Sequence, residues 1–376
     1  MLGGRRAWLW RIAALVGAAV VALGVAACGS SGDDNSTGST TGGGGNAEIT
    51  LRLGYVTPPA HPYGQAVDFF AKRISELSGG KMEVKTLPTY GGGNDLQLLD
   101  DVQSGSVDMG SVSAAVWGNK GVTSFEALQM PFLITRYDLE SQVITGSIGQ
   151  SMLTSPDGPS KIGLKGLAIH EGGLRKPLGA KEQIVSLADW KGKKIRSVES
   201  PVLVAGIRAL GADATPLPVG DVYNALRSGT VDGMEANLGL VQTFKYYEVA
   251  KYMTLNVNLW PFPTVLVMNQ AKFDGLTPEQ QKWITDAAKE VPGFSISIFT
   301  DPKNNLIPTL CDEGLMFATA TKDQLAELAT AEKPVYDQFA TGSTGQYVDQ
   351  IQALKDKLPA PPAPAPLPSG CAAPSP

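Results

Sequence analysis

The chain has 376 residues, with 31 lysines and arginines against 36 aspartates and glutamates, and a formal net charge of −5. This acidic balance and the charged fraction of 18% argue against a nucleic-acid-binding protein, which needs a basic face. Two histidines and three cysteines leave few ligands for a catalytic metal, so we predict neither a metal nor a cofactor.

The first 27 residues are typical of an export signal. Three arginines, the last of them Arg11, flank the start of an apolar run over residues 12–27. The run is too short and too rich in small residues for a membrane span. It ends in VAACG, which resembles a bacterial lipobox and implies lipidation of Cys28 and anchoring to the outer face of the cytoplasmic membrane, in the cell envelope. The alternative is a signal peptide with an incidental cysteine.

Two low-complexity segments flank the rest of the chain. Residues 28–47 are rich in Gly, Ser and Thr and predict a flexible linker after the lipidated cysteine. Residues 358–376 predict an extended Pro-rich tail. The roughly three hundred residues between them are too many for one simple core and suit two lobes.

The first lobe begins with a strand–helix–strand pattern. Residues 48–55 alternate like a half-buried strand, a rigid Pro-rich turn follows, and residues 63–77 predict a helix. Residues 82–87 form the next predicted strand, which indicates a parallel sheet.

A glycine-rich loop, Gly91–Gly93, comes next. No Gly-Lys-Ser/Thr follows it, so a phosphate-binding P-loop is excluded. We predict a loop at a ligand cleft, with Asn94 or Asp95 as the N-cap of a helix over residues 96–103.

The second lobe has the pattern strand, helix, strand, helix, strand. Arg196 ends its first strand, residues 202–210 predict a helix, and residues 222–227 predict another. This pattern favours a parallel α/β sheet, whose ligands bind beyond the carboxyl ends of the strands. Arg196 lies at such an end.

Several motifs in this region resemble DctP-like solute-binding proteins of tripartite ATP-independent periplasmic (TRAP) transporters. No single motif is specific, but their order and spacing are. They are DWKGKKIR at 189–196, LGA at 210–212, DVYNAL at 221–226, GTVDG at 229–233, YYEVAKY at 246–252, and the LxxPF element at 128–132.

The resemblance implies an α/β, two-lobed, hinged fold of the periplasmic-binding-protein type. Each lobe is expected to hold a mixed β-sheet flanked by helices, with the ligand cleft between the lobes. On this basis lobe I covers residues 48–169, with about 256–300 returning to it. Lobe II covers residues 170–255, with about 301–357 packing on it.

By the same resemblance, Arg196 binds a ligand carboxylate and Arg175 assists it. Two guanidinium groups facing one crevice suit a carboxylate, because each presents paired donors in a fixed fork. For either arginine alone, we would favour an ordinary surface or structural cation. The motif context instead favours a ligand-binding role. An unpaired buried guanidinium is costly, so we expect the empty cleft to stay open and to close over an anion.

Further residues are candidates for the cleft wall. The family often carries Glu-Asn-Pro where this chain has Glu-Ala-Asn, which shifts the amide by one residue. A carboxylate at Glu199 would repel a second anion or neutralise Arg196. Trp117 suits the core as well as the wall. The full set of additional candidates is Asn237, Glu199, Asn94, Ser113, Trp117 and Phe262.

The C-terminal part adds structural expectations. Residues 255–259 alternate and predict a strand that crosses between the lobes. A helix starts after the N-cap Thr277, and Pro292 is expected to kink or break it. Cys311 and Cys371 can form a disulfide in an exported protein, which would pin the tail to the body. The sequence does not show whether these two cysteines approach each other.

Motifs for the common hydrolases and metallopeptidases, such as Gly-x-Ser-x-Gly and His-Glu-x-x-His, do not occur in the sequence, so we predict no enzyme. We predict an extracytoplasmic protein that captures an organic acid and delivers it to membrane permease subunits of a TRAP transporter. The alternatives are a binding lipoprotein of an ATP-driven (ABC) importer and a ligand sensor for a receptor kinase. Adjacent genes for four-helix and twelve-helix membrane subunits would favour the first.

Overall fold

The computed structural model describes residues 47–360, 367 and 370–373. The predicted signal peptide, Cys28, the linker up to residue 46 and most of the Pro-rich tail lie outside them. Within the described part, no helix has the length and apolar character needed to span a membrane.

The described residues alternate between strands and helices. The strands are β1 (Ile49–Gly54), β2 (Met82–Leu87), β3 (Met109–Ser113), β4 (Leu164–His170), β5 (Lys176–Gly179), β6 (Lys194–Ser197), β7 (Asp213–Pro216), β8 (Gly233–Ala236), β9 (Tyr252–Thr254), β10 (Thr264–Asn269) and β11 (Met316–Ala318). The helices are α1 (Pro62–Leu77), α2 (Asp95–Ser104), α3 (Tyr137–Thr145), α4 (Ser147–Thr154), α5 (Leu187–Trp190), α6 (Pro201–Ala209), α7 (Val222–Ser228), α8 (Leu238–Thr243), α9 (Gln270–Asp274), α10 (Pro278–Thr300), α11 (Ile307–Asp312), α12 (Lys322–Ala331), α13 (Lys333–Phe339) and α14 (Gly342–Lys355).

The strands form two mixed sheets, one in each lobe. The first has the order β2-β1-β3-β10-β4, with β1 parallel to β2 and β3, and β10 antiparallel to β3 and β4. The second has the order β11-β9-β5-β8-β6-β7, with β6 parallel to β7 and β8, and β5 antiparallel to β8 and β9. The predicted fold class is therefore confirmed.

Strand β10 is an interior strand of the first sheet, between β3 and β4, and every one of its residues is buried. Its sequence TVLVMN is apolar at nearly every position, which is typical of a strand covered on both faces. Such a strand returning from the second lobe makes the first sheet mixed rather than wholly parallel.

Two of the segments that cross between the lobes pair with each other. One runs from β4 to β5 and the other from β9 to β10. Arg175 N donates to Trp260 O at 2.8 Å, and Leu259 N donates to Arg175 O at 2.9 Å. The strand predicted over residues 255–259 is absent, because the pairing in this segment is confined to the single bridge at Trp260.

Helix α10 is continuous over 23 residues, so Pro292 does not break it, and the kink that was the other expectation there stays a prediction. A proline inside a helix costs about 3 kcal/mol. The helix compensates by burying one side, including Ile284, Val291 and Pro292 itself, and it contacts α1 and β4. Beyond the proline, Phe294 stacks on Phe69 with ring centroids 4.1 Å apart.

The C-terminal segment divides between the lobes. Strand β11 joins the second sheet, and α12 and α13 contact α5 and α6. Helix α14 instead packs on α3 and α4 of the first lobe. The domain prediction placed the whole of residues 301–357 on lobe II, whereas α14 lies on lobe I.

The end of the tail lies against the second sheet. Cys371 is joined to Cys311 by a disulfide, with Cα atoms 5.6 Å apart. Phe317 N donates to Cys371 O at 2.7 Å, and Ala373 N donates to Phe317 O at 2.8 Å. The tail residues therefore extend the sheet at its β11 edge.

Candidate functional site

Arg196 lies at the buried centre of the second lobe. It belongs to β6, which is hydrogen-bonded between β7 and β8, and only 2% of its surface is exposed. Its Nη2 and Nε donate to Leu217 O at 2.7 and 3.1 Å. The second lobe thus fixes the orientation of the guanidinium through one carbonyl.

A buried carboxylate, Glu235, links Arg196 to Arg175. Its Oε1 is 3.5 Å from Arg196 Nη1, and its Oε2 is 3.3 Å from Arg175 Nη1. Burial raises the pKa of Glu235, and the two arginines oppose that rise. Both contacts are longer than the 2.7–2.9 Å of a strong charge-assisted bond. The guanidinium groups therefore keep donor capacity for another anion.

Arg175 reaches the same place from the segment that crosses between the lobes. It is 3% exposed, and its Cζ lies 3.8 Å from the centroid of the Phe262 ring. Its Nε has no hydrogen-bond partner among the described residues, and burial lowers its pKa. The stacked ring stabilises the cation and fixes its plane, as expected for a cation–π pair.

The first lobe contributes polar groups on the opposite side. His61 is the N-cap of α1, and its Nδ1 accepts a hydrogen bond from Tyr63 N at 3.1 Å. Burial and Arg175 lower the pKa of His61 to about 3, so the ring is neutral and its hydrogen is on Nε2. Among the described residues, Thr57 Oγ1 has no partner, and His61 Nε2 makes no hydrogen bond of ordinary geometry, although the nearby Asn237 side chain raises the pKa of His61 against these two effects.

Asp95 is the third polar group of this face. It is the first residue of α2, and its Oδ1 accepts from Ser113 N at 2.9 Å. Burial raises the pKa of Asp95 to about 6, against the lowering effect of the Ser113 N–H. The carboxyl is therefore largely ionised at pH 7, with Oδ2 free of hydrogen bonds to the described residues.

These groups enclose a cavity of about 20 Å³, which is room for about one water. An organic acid therefore enters only if the lobes separate. The lining residues are Val56, Thr57, His61, Tyr63, Asp95, Gly172, Arg175, Arg196, Val198, Val219, Leu240 and Phe262.

The lobes touch beside the cavity through backbone. Val219 N donates to Gly93 O at 3.3 Å. A Cβ on Gly220 would overlap the carbonyl oxygen of Gly92, and Gly93 has a φ of +90°. The glycine-rich loop, predicted to lie at a cleft, is thus one side of a seam that side chains would block. We refer to the contact of Gly92 and Gly93 with Val219 and Gly220 as the glycine seam.

The structure brings Arg175, Arg196 and Phe262 together and places the other predicted wall residues elsewhere. Asn237 is the N-cap of α8, where its Oδ1 accepts from Leu240 N and its Nδ2 donates to Gly172 O, both at 2.7 Å. It is not among the residues that line the cavity, although its side chain lies near His61. Glu199 is partly exposed and does not line the cavity, although its charge raises the pKa of Asp95.

Three first-lobe candidates have structural positions. Asn94 is the N-cap of α2 and accepts from Gln97 N at 3.0 Å. Ser113 Oγ accepts from Ala115 N at 3.1 Å, so its side chain caps a turn. Trp117 is fully buried with its ring 5.3 Å from that of Phe125, which makes it a core residue.

Sequence reasoning missed Glu235, Asp95, His61 and Thr57 as members of the site. It also assumed that the arginines lack an internal partner, whereas both contact Glu235. A lone acid in a fully buried strand was the available signal, because such a charge needs a cation.

Comparison with known proteins gives one family. The model of DctP, described as bacterial extracellular solute-binding protein, family 7, matches residues 53–342. The 2,3-diketo-L-gulonate-binding periplasmic protein YiaO of Escherichia coli K12 is 30% identical over 276 residues, which are 73% of this chain and 82% of that protein.

Solved structures agree with this match. The sugar acid binding protein DctPAm of Advenella mimigardefordensis, in complex with galactonate, has a TM-score of 0.76 and 28% identity, covering 82% of this chain and 98% of that one. A TRAP periplasmic solute-binding protein of Sulfurospirillum deleyianum with bound succinate has a TM-score of 0.73 and 27% identity, covering 82% and 99%.

Proposed function

Because the chain belongs to the DctP family of bacterial extracellular solute-binding proteins, we propose that it captures an organic acid between its lobes for a TRAP transporter. The observation that carries this proposal is the pair of buried guanidinium groups, Arg175 and Arg196, facing one interlobe cavity. Related proteins bind galactonate, succinate and 2,3-diketo-L-gulonate, all of which are carboxylates.

The arrangement of the cavity suggests the order of events in ligand capture. In the separated lobes, Arg196 offers its Nη1 edge, because Leu217 O occupies Nη2 and Nε. A carboxylate arriving there forms charge-assisted bonds that are shorter and stronger than the existing contacts with Glu235. Closure then brings Asp95, His61 and Thr57 against the rest of the ligand. Because the ligand then makes more contacts in the closed form than in the open form, its binding shifts the equilibrium toward the closed form.

Delivery places the protein outside the cytoplasmic membrane. We propose that Cys28, which lies outside the described residues, is lipidated and anchors the chain, with residues 28–47 as a tether. Membrane permease subunits of a TRAP transporter are the proposed recipients. The Cys311–Cys371 disulfide suits an oxidising envelope. A Cys28→Ala protein that stays with the membrane fraction would contradict the anchor.

A thermal-shift screen of organic acids tests the binding step. A ligand at one hundred times its Kd stabilises the folded state by about 2.7 kcal/mol, which raises the melting temperature by several degrees. We expect carboxylates to give this shift, and matched uncharged sugars to give none. If no acid of the panel changes the melting temperature, the proposed function is wrong.

A further inference from the structure

The charges around the cavity suit one carboxylate and no more. Arg175 and Arg196 are the only cations among the cavity's described lining residues, and each already contacts Glu235. Asp95, which is an anion, lines the same cavity from the first lobe. A ligand that reaches both faces therefore meets cations at one end and an anion at the other.

We propose that the ligand is a hydroxylated monocarboxylate of the sugar-acid class, and that Asp95 excludes dicarboxylates. The inference rests on the proposed function and deepens it. It assigns the carboxylate to the arginine pair of the second lobe and the hydroxyl groups to Asp95, His61 and Thr57 of the first lobe.

The hydrogen-bonding capacity of the first-lobe face supports hydroxyl groups as its partners. Asp95 Oδ2 can only accept, His61 Nε2–H can only donate, and Thr57 Oγ1 can do either. Among the described residues, Thr57 Oγ1 is buried without a partner, and His61 Nε2 makes no hydrogen bond of ordinary geometry, although the nearby Asn237 side chain acts on its pKa. Folded proteins avoid unmade bonds of this kind because each one is costly. Neighbouring hydroxyl groups both donate and accept, so a polyol satisfies all three.

A second carboxylate fits this face poorly. It has no hydrogen to give to Asp95 Oδ2, and two carboxylates in a water-poor cavity repel each other. The pair could exist only if it took up a proton. Arg196 and Arg175 lower the pKa of Asp95 and so favour its charged form, and Glu199 opposes them with a smaller effect. The first lobe therefore rejects a dianion while it accepts an alcohol.

The remaining walls agree with a short, compact ligand. Val56, Val198, Val219 and Leu240 are apolar and also line the cavity. A carbon chain with one charged end can span from Arg196 to Asp95 across them.

The test compares D-galactonate with succinate by calorimetry on the full mature protein. We expect wild type to bind D-galactonate at least roughly tenfold more tightly than succinate. Asp95→Asn keeps the size of the side chain and removes its charge, so it should strengthen succinate binding and reduce that ratio by roughly tenfold or more. Asp100→Asn, on the exposed side of the same helix, is the matched control and should leave the ratio unchanged.

Thr57→Val provides a second variant that preserves shape. It should weaken D-galactonate binding and leave succinate binding as in wild type. Tighter binding of succinate than of D-galactonate by wild type, or an unchanged ratio in Asp95→Asn, overturns the inference while the proposed function stands. Binding of neither acid overturns the inference too, and the proposed function falls only if every other carboxylate of the thermal-shift panel also fails.

Discussion

Replacing Arg196 by alanine is the most direct perturbation of the site. The substitution removes a guanidinium that is 2% exposed and faces the cavity beside Arg175. A bound carboxylate would then have only Arg175, whose Nη1 is shared with Glu235. We expect the ligand affinity to fall steeply while the second lobe keeps its fold.

The magnitude follows from what the substitution leaves behind. Breaking a buried ion pair by removing one partner costs about 3–5 kcal/mol, because the other charge remains buried. This corresponds to at least a hundredfold increase in Kd. Leu217 O also loses two donors, at 2.7 and 3.1 Å, so some loss of stability accompanies the loss of binding.

Calorimetric titration of wild type and Arg196→Ala with the best ligand of the thermal-shift panel measures the effect. Arg196→Lys retains the charge without the fork and should give an intermediate affinity. Arg208→Ala, an exposed arginine on α6 in the same lobe, is the control for a general loss of positive charge. Equal Kd values for wild type and Arg196→Ala, with both proteins folded, would refute the assigned role.

Three further outcomes test other parts of the structure. Gly220→Ala should weaken ligand binding, because the added Cβ would overlap Gly92 O. Gly293→Ala is the control and should bind the ligand as wild type does, because the added Cβ meets open space. Equal affinities of Gly220→Ala and wild type would argue against a role of the glycine seam in closure. Cys371→Ser removes the Cys311–Cys371 disulfide, whose cysteines are 60 residues apart in sequence, and should lower the free energy of unfolding by about 4 kcal/mol in the chain-entropy model. The melting temperature should fall, and a reductant should not lower it further. Glu332 is buried without a hydrogen-bond partner among the described residues, and burial raises its pKa well above the usual value. Its stabilising contribution is full below the unfolded pKa of about 4.5 and is lost as pH rises through the folded pKa. The melting temperature of Glu332→Gln should therefore rise relative to that of wild type between pH 5 and pH 9. A difference in melting temperature that stays constant over this range would contradict the reasoning.

Local patterns were enough to predict the parallel pairs β1–β2 and β6–β7, whereas the mixed character of both sheets was expected only from the family resemblance. The alternation around β1 and β2, and the strand–helix repeats after Arg196, are properties of short segments whose periodicity follows from the geometry of strands and helices. The segment over residues 255–259 crosses between the lobes as predicted, but it is not a strand, because its pairing is limited to the single bridge at Trp260. Pro292 misled because the burial that compensates for it comes from α1 and β4, which are distant in sequence.

The residues of the site were harder to predict from the sequence than the fold. Arg175 and Arg196 were found through motif context, whereas Glu235 pairs with them across strands that lie far apart in the chain. Asn94 and Asn237 are polar residues beside the cleft, yet their side chains satisfy helix N-termini. Sequence shows that such a residue is near a cleft, but only the backbone geometry decides whether its side chain caps a helix or faces the ligand.

Arg175 has two positions in the structure. Its backbone pairs two of the segments that cross between the lobes, and its guanidinium lines the cavity. The residue proposed to help bind the ligand carboxylate therefore also lies in a segment that joins the two lobes. No relay through intervening residues is required, since any rotation of one lobe against the other re-aims this side chain directly. An anion that holds the guanidinium in one direction thereby restrains the angle between the lobes.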